Sequence, residues 1–360
     1  MRLSIDCRMW RSSGIGTYLR NLVPHLITLL PNFKIYLLGH INDLQQINDE
    51  NDNVDIVECN SPIYSISEQY EMLRKMPKCD MFFSPHYNIP LLFRGIQITT
   101  IHDLFHIADE NDNKTLIMKI YARGMLSAAL RKSRIVFTDS NFTLSEMIKY
   151  KLPGVEKVRV IHIGAGFSNI EKSAENDRKY IVYVGNIKPH KNLKRLITAY
   201  KILHEKYNIK LPLMIVGEAD SFITGIPGFR EEIADSAWSK WITFTGKVSD
   251  EKLISIYQKA SILVLPSLYE GFGLPPLEAM ACGCPCVVSN VASLPEVCGE
   301  AALYCDPYDV QDIARKIYEL IVNDDLRETL IAKGFKQVET YKWENTATFI
   351  VKALEEVIDC

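Results

Sequence analysis

Short, continuous apolar runs alternate along the chain with stretches in which apolar residues recur every three or four positions. In the second half "YIVYVGNI" (180–187), "LPLMIVGE", "WITFTG", "SILVLPS", "CPCVVSN" and "AALYCDP" read as strands, and runs without polar alternation suit strands buried on both faces. Between them, "NLKRLITAYKILHEKY" places Leu193, Leu196, Ile197 and Tyr200 on one helical stripe, and "SDEKLISIYQKA" and "DVQDIARKIYELIVN" show the same period. The first half repeats the scheme with "RLSIDC", "FKIYLLGH", "DMFFSPH", "QITTIHD" and "RIVFTDS" as strands, and the acidic stretch "NDLQQINDENDNVD" reads as a solvated loop. Strand and helix in alternation predict an α/β chain with parallel, doubly wound sheets. A seam near 164–179 divides it into residues 1–164 and 165–340. Residues 341–360 are expected to form an amphipathic helix returning to the first domain.

The 360 residues agree with roughly two domains. A net charge of −3 offers no whole-molecule attraction for nucleic acid, and no apolar run approaches the ~18 residues of a spanning helix. Nine cysteines without a CxxC pair or an apolar leader predict reduced thiols and a cytoplasmic setting. One stretch adds a membrane question. "NKTLIMKIYARGMLSAALRKSRIVF" (113–137) carries Lys114, Lys119, Arg123, Arg131, Lys132 and Arg134 with no acidic residue. A basic helix of this kind lies either on an anionic bilayer, at the inner membrane face, or with its charges in water.

The densest chemistry is "SLYEGFGLPPLEAMACGCPCVVSN" (267–290). Glu270 follows a strand, and ligands of doubly wound sheets bind off the carboxyl ends of strands. Gly271 and Gly273 let a ligand approach the backbone, while Pro275 and Pro276 suit the first turn of a helix. The amides of Gly273 and Leu274 would then form an anion site, with Glu278 in the same first turn. Amides for phosphate and carboxylates for hydroxyls suit a nucleotide-diphosphate sugar. An acidic loop balancing a helix dipole is the plainer alternative. Cys284 and Cys286 are expected on one face of the next strand as small buried residues rather than as a metal or redox site.

"EGFGLPPLEAMACGCPCV" resembles the E-x7-E signature of retaining glycosyltransferases of GT-B architecture, in glycosyltransferase family 4. "YVGNIKPHKNLKRLI", "FTGKVSDEKL" and "SLPEVCGEAALYCDP" are similar to that family too, and the resemblance runs more weakly through the first half. It implies two Rossmann-like domains facing each other across a cleft. Glu270 would lie beside the donor sugar, with Phe272 giving a backbone contact. Glu278 would bind the ribose hydroxyls, and Lys247 and Val248 would pass near the base. Gly273, Leu274 and Lys191 would meet the diphosphate. Asn186 and His190 stand where the family usually has an arginine, with Lys188 nearby, which leaves the second positive charge unassigned.

In "SSGIGTYLRNLVPHLI", Gly14 and Gly16 open a helix striped by Tyr18, Leu19, Leu22, Val23 and Leu26. The resemblance makes Gly16 part of the loop facing the diphosphate. In "TTIHDLFH", His102 and His106 superficially copy a zinc-peptidase spacing, but a β-rich run precedes them and Asp103 stands between. The resemblance places His102 near the donor sugar and the reacting phosphate oxygens.

The expectation is a retaining, metal-independent hexosyltransferase without a cofactor, using a UDP- or GDP-linked donor, with a lean to UDP-glucose, and a glycan or lipid-linked acceptor. A non-catalytic nucleotide-sugar-binding protein and a zinc hydrolase at His102 and His106 are the rivals.

Overall fold

A computed structural model describes residues 1–108, 116–167, 170, 178–217 and 239–358. By its contacts the chain divides into two compact units, Met1–Gly164 with Tyr341–Cys360, and Ala165–Thr340.

In the first unit the strands are β1 (Arg2–Asp6), β2 (Lys34–Gly39), β3 (Val54–Glu58), β4 (Met81–Ser84), β5 (Ile96–Thr100), β6 (Ile135–Thr138) and β7 (Val158–Val160). Among the described residues they form one sheet in the order β3-β2-β1-β4-β5-β6-β7, and every pairing is parallel. Its helices are α1 (Ile15–Leu29), α2 (Ile41–Asp49), α3 (Ile66–Lys75), α4 (Phe105–Ala108), α5 (Leu116–Lys132) and α6 (Asn141–Lys149). The α1 stripe of Tyr18, Leu19, Leu22, Val23 and Leu26 is buried. Ser65 and Ser140 cap α3 and α6 by accepting from the amides of Glu68 and Thr143.

The second unit holds β8 (Tyr180–Val184), α7 (Leu193–Glu205), β9 (Leu213–Val216), β10 (Ile242–Gly246), α8 (Asp250–Lys259), β11 (Ala260–Leu265), α9 (Leu274–Ala281), β12 (Cys286–Ser289), α10 (Leu294–Cys298), β13 (Ala302–Cys305), α11 (Val310–Val322) and α12 (Asp324–Val338). Its parallel sheet runs β10-β9-β8-β11-β12-β13 among the described residues. Buried apolar strands such as "ASILVL" and "CVVS" are what a sheet covered on both faces requires.

The last helix, α13 (Trp343–Ile358), belongs to the first unit. Trp343 meets the Tyr18 ring edge-on at 5.8 Å, and Thr346 Oγ1 donates to the His162 carbonyl at 3.0 Å.

Three local expectations need correction. The acidic stretch read as a loop contains α2 and leads into β3; α2 buries only Leu44 of its nine residues, so its apolar period is nearly silent. Glu278 is the fifth residue of α9 and lies in its second turn, not its first. Cys284 precedes β12, which begins at Cys286, so the two cysteines do not share the strand. In the basic stretch, Lys114 lies outside the described residues. Leu126, Ala129 and Leu130 of α5 are buried, while Arg131 and Lys132 at its end are exposed.

Candidate active site

Both sheets reverse direction at one place. In the second unit the chain leaves β8 toward β9 and β10 on one side, and resumes at β11 on the other. The gap at the carboxyl ends of β8 and β11 is the switch point of the sheet, where such folds bind ligands. The loop after β8 carries Gly185 to Lys191, and the loop after β11 carries Pro266 to Gly273.

Asn192 joins these loops. It is buried in the left-handed region (φ 60°), a conformation asparagine tolerates, and its Nδ2 donates to the carbonyls of Pro266 at 2.8 Å and Pro307 at 2.7 Å. The Leu268 amide adds a bond to the His190 carbonyl at 2.7 Å. Lys191 is thereby set against Glu270, with Nζ 2.7 Å from both carboxylate oxygens. Ser267 Oγ donates to Glu270 Oε1 at 2.8 Å. From the start of α10, Ser293 Oγ reaches the carbonyls of Glu270 at 2.9 Å and Phe272 at 2.7 Å, fixing the turn between them.

Gly273 caps α9 with φ 114°, a backbone conformation closed to other residues, and no side chain caps that helix end. The amides that begin α9 therefore form an end suited to an anion. One turn further, Glu278 is buried, and Tyr257 of α8 donates its hydroxyl to Oε2 at 3.2 Å. Burial raises this carboxyl to about 7, although the tyrosine bond pulls the other way. Gly166 passes so close that a Cβ there would stand 2.7 Å from Glu278 Oε1. Lys247 and Val248 follow β10, two strands from β8 at the same end of the sheet.

In the first unit His102 follows β5 and Asp139 follows β6, at the carboxyl ends of adjacent strands. His102 Nδ1 lies 2.6 Å from Asp139 Oδ2. Nε2 is buried, and a backbone contact with Pro85 adds to the groups that favour the protonated ring. Burial alone would depress the imidazole, but Asp139, and then Asp103, outweigh it and hold the ring above its ordinary pKa. The Tyr18 ring meets it edge-on at 4.7 Å. Asp139 thus orients the ring at the carboxyl end of β5.

Gly16 has a local explanation. A Cβ on it would stand 2.5 Å from the Trp10 carbonyl, so the turn before α1 closes only over glycine. His102 and His106 do not share a helix face, since His102 precedes α4 and His106 lies within it against Tyr64 and Tyr87. Among the described residues, no group of three or more metal-ligating side chains converges. Cys282, Cys284 and Cys286 are buried free thiols, and burial pushes Cys284 up to about 12.

Two groups of the same geometry carry no motif of their own. Asp139 ends "RIVFTD" by the positional rule that singles out His102, so its place at a strand end was a usable signal. Ser293 lies far along the chain from the loop it holds, and nothing local marks it.

Residues 167–337 match the model of the family "Glycosyl transferases group 1". An O-antigen chain mannosyltransferase B of Escherichia coli is 30% identical over 290 residues, covering 76% of this chain and 73% of that protein. The chain belongs to the glycosyl transferase group 1 family. The O-antigen chain mannosyltransferase RfbU of Salmonella typhimurium is also 30% identical, over 82% of this chain and 78% of its own length. Sucrose-phosphate synthase from Thermosynechococcus elongatus superposes with a TM-score of 0.81 at 18% identity, covering 100% of this chain and 99% of that one. At that identity it speaks for the fold, two Rossmann-like units of the GT-B kind. The chain is therefore a glycosyltransferase.

Proposed function

We propose that this glycosyltransferase moves a hexose from a nucleotide-diphosphate donor to a hydroxyl of a glycan acceptor, with retention of configuration and without a metal. The bond between Lys191 and Glu270 at the switch point, beside the open start of α9, carries the reading. Breaking the bond from sugar to phosphate leaves negative charge on the departing nucleoside diphosphate. The Lys191 ammonium and the amides of Gly273 and Leu274 are fixed donors suited to that charge. Glu270 keeps Lys191 in place and offers its oxygens to hydroxyls of the donor sugar, with Phe272 lending its backbone.

Glu278 would take the ribose hydroxyls, and Lys247 and Val248 would border the base. A carboxyl that titrates near 7 both donates and accepts, which suits a diol. His102, oriented by Asp139, would lie beside the donor sugar and the reacting phosphate oxygens. Gly16, in the turn that begins α1, would belong to the loop that meets the diphosphate.

Among donors we place a mannosyl nucleotide ahead of UDP-glucose, because two relatives that resemble this chain over most of its length are named O-antigen chain mannosyltransferases. The acceptor would be a growing polysaccharide, free or lipid-linked. No helix among the described residues is long and apolar enough to cross a membrane.

A thermal-shift screen against UDP, GDP, ADP and their sugars tests this. One family of nucleotides at about 100 times its Kd should stabilise the protein by about 2.7 kcal/mol. No shift with any of them would end the proposal. Transfer that survives EDTA is expected, and its loss would restore a metal.

A further inference from the structure

A second cluster lies at the switch point of the first sheet, between β1 and β4. Arg8, just past β1, donates to both oxygens of Asp6 at 2.9 and 2.7 Å and to Glu68 of α3 at 3.0 Å. The Arg8 and Glu68 side chains are 3% and 0% exposed. Buried ion pairs are a weak source of stability, so the cluster matters for what it fixes. Glu68 accepts from Asn88 Nδ2, and Asn88 Oδ1 accepts the Tyr121 hydroxyl at 3.0 Å. The Asn88 amide donates to His86 Nδ1 at 3.2 Å, so the proton of this ring sits on Nε2, which donates to the Tyr64 hydroxyl at 2.9 Å. Burial and the neighbouring His102, His106 and Arg8 lower His86 to about 3, so the ring is neutral at working pH and its tautomer is fixed.

The chain of bonds ends on two tyrosines whose rings face outward. Tyr64 is 43% and Tyr121 39% exposed, yet both hydroxyls are held from beneath. Tyr64 adopts φ 67°, rare for an aromatic residue. Its ring lies 6.3 Å from Tyr87 and 6.4 Å from His106. Rigid aromatic faces with tethered polar tips offer apolar contact area at little entropic cost, beside hydrogen-bonding groups. A hexose has the complementary surface, with C–H faces and a rim of hydroxyls. His86 follows β4 and His102 follows the adjacent β5, so a sugar on these rings lies at the same end of the first sheet as the candidate active-site histidine.

We infer that Tyr64 and Tyr121 form a saccharide platform, with His86 and Asn88 as its positioning residues and a mannose-containing acceptor as its occupant. The acceptor role rests on the transferase reading; saccharide binding does not. Saturation-transfer NMR with methyl α-mannopyranoside and an α-linked mannobiose, without nucleotide, tests it. Both probes should respond on the wild type. Tyr64→Ala and Tyr121→Ala should each weaken mannobiose by about tenfold. Tyr64→Phe, which keeps the ring and loses the tether, should weaken it by about threefold with the melting temperature preserved.

Unchanged affinity in both alanine variants overturns the platform. So does a wild type that is stabilised by a nucleotide sugar but takes neither saccharide. The exposed Ile66, Tyr70 and Leu92 on neighbouring segments raise a lipid surface as the other occupant. If the alanine variants lose binding to vesicles of phosphatidylglycerol in phosphatidylcholine and keep mannobiose, the platform is likewise overturned. If no nucleotide sugar binds while mannobiose responds to these tyrosines, the platform stands and the transferase reading fails.

Discussion

Replacing Glu278 by glutamine should stabilise the protein at neutral pH while impairing its ligand site. Burial raises this carboxyl from an ordinary 4.5 to about 7. Between those values the folded state holds a proton that the unfolded chain has lost, so stability falls as pH rises through the interval and is lost above 7. The rise corresponds to about 3 kcal/mol. Glutamine keeps the shape and still accepts from Tyr257, but it has no charge to bury. The melting temperatures of variant and wild type should therefore nearly coincide at pH 4.5 and diverge as pH increases. At about 2–4 °C per kcal/mol for a unit of this size, the variant should lead by about 6–12 °C at pH 8. Scanning calorimetry across pH 4.5–8.5 reads the difference directly. Parallel curves, or a variant less stable at pH 8, would refute the burial argument. The same variant should bind nucleotide less tightly, the usual conflict between a strained site and a stable fold.

Lys191→Ala removes the partner of a carboxylate that is one-tenth exposed, leaving Ser267 as its side-chain donor. A loss of about 2–3 kcal/mol is expected, most of it recovered in the double variant with Glu270→Gln; additive effects in the cycle would deny the coupling. Calorimetry should also show nucleoside-diphosphate affinity falling by about tenfold or more, and unaltered affinity would remove Lys191 from the site. Asp139→Asn should lower the pKa of His102. A histidine raised in the folded state contributes stability that is fully present below its unfolded value of 6.5 and is lost as pH rises through the folded one. The gap between wild type and Asp139→Asn should thus be widest below pH 6.5 and close above it, with the pH–rate profile shifted the same way; a gap that widens with pH would contradict the pairing. Cys282, Cys284 and Cys286 should react with a disulfide reagent only on unfolding, and rapid native reaction would reopen a redox role.

The parallel sheets were legible because β8, β11 and β12 are buried, almost wholly apolar runs, and α1 and α7 carry clean stripes. The stretch 41–58 was not, since α2 hides one leucine and β3 sits at the sheet edge. In the site, strand-end position pointed to Glu270 and His102, while the roles of Lys191 and Glu278 came from the family resemblance. Their partners were harder, because Lys191 and Glu270 meet only when β8 and β11 become neighbours. The network from Arg8 to Tyr64 was invisible for the same reason: its members come from a strand end, a helix and two loops, and nothing in their spacing connects them.

The central claim is hexose transfer through Glu270 and Lys191. Mass spectrometry and NMR of α-mannobiose incubated with nucleotide-linked mannose test it most directly. Wild type should give a product one hexose larger whose new linkage keeps the anomeric configuration of the donor, and Glu270→Ala should slow its formation by about a hundredfold or more while still melting cooperatively. Formation at the wild-type rate by Glu270→Ala, or neither transfer nor donor hydrolysis by folded wild type with UDP-, GDP- or ADP-linked sugars, would contradict the account.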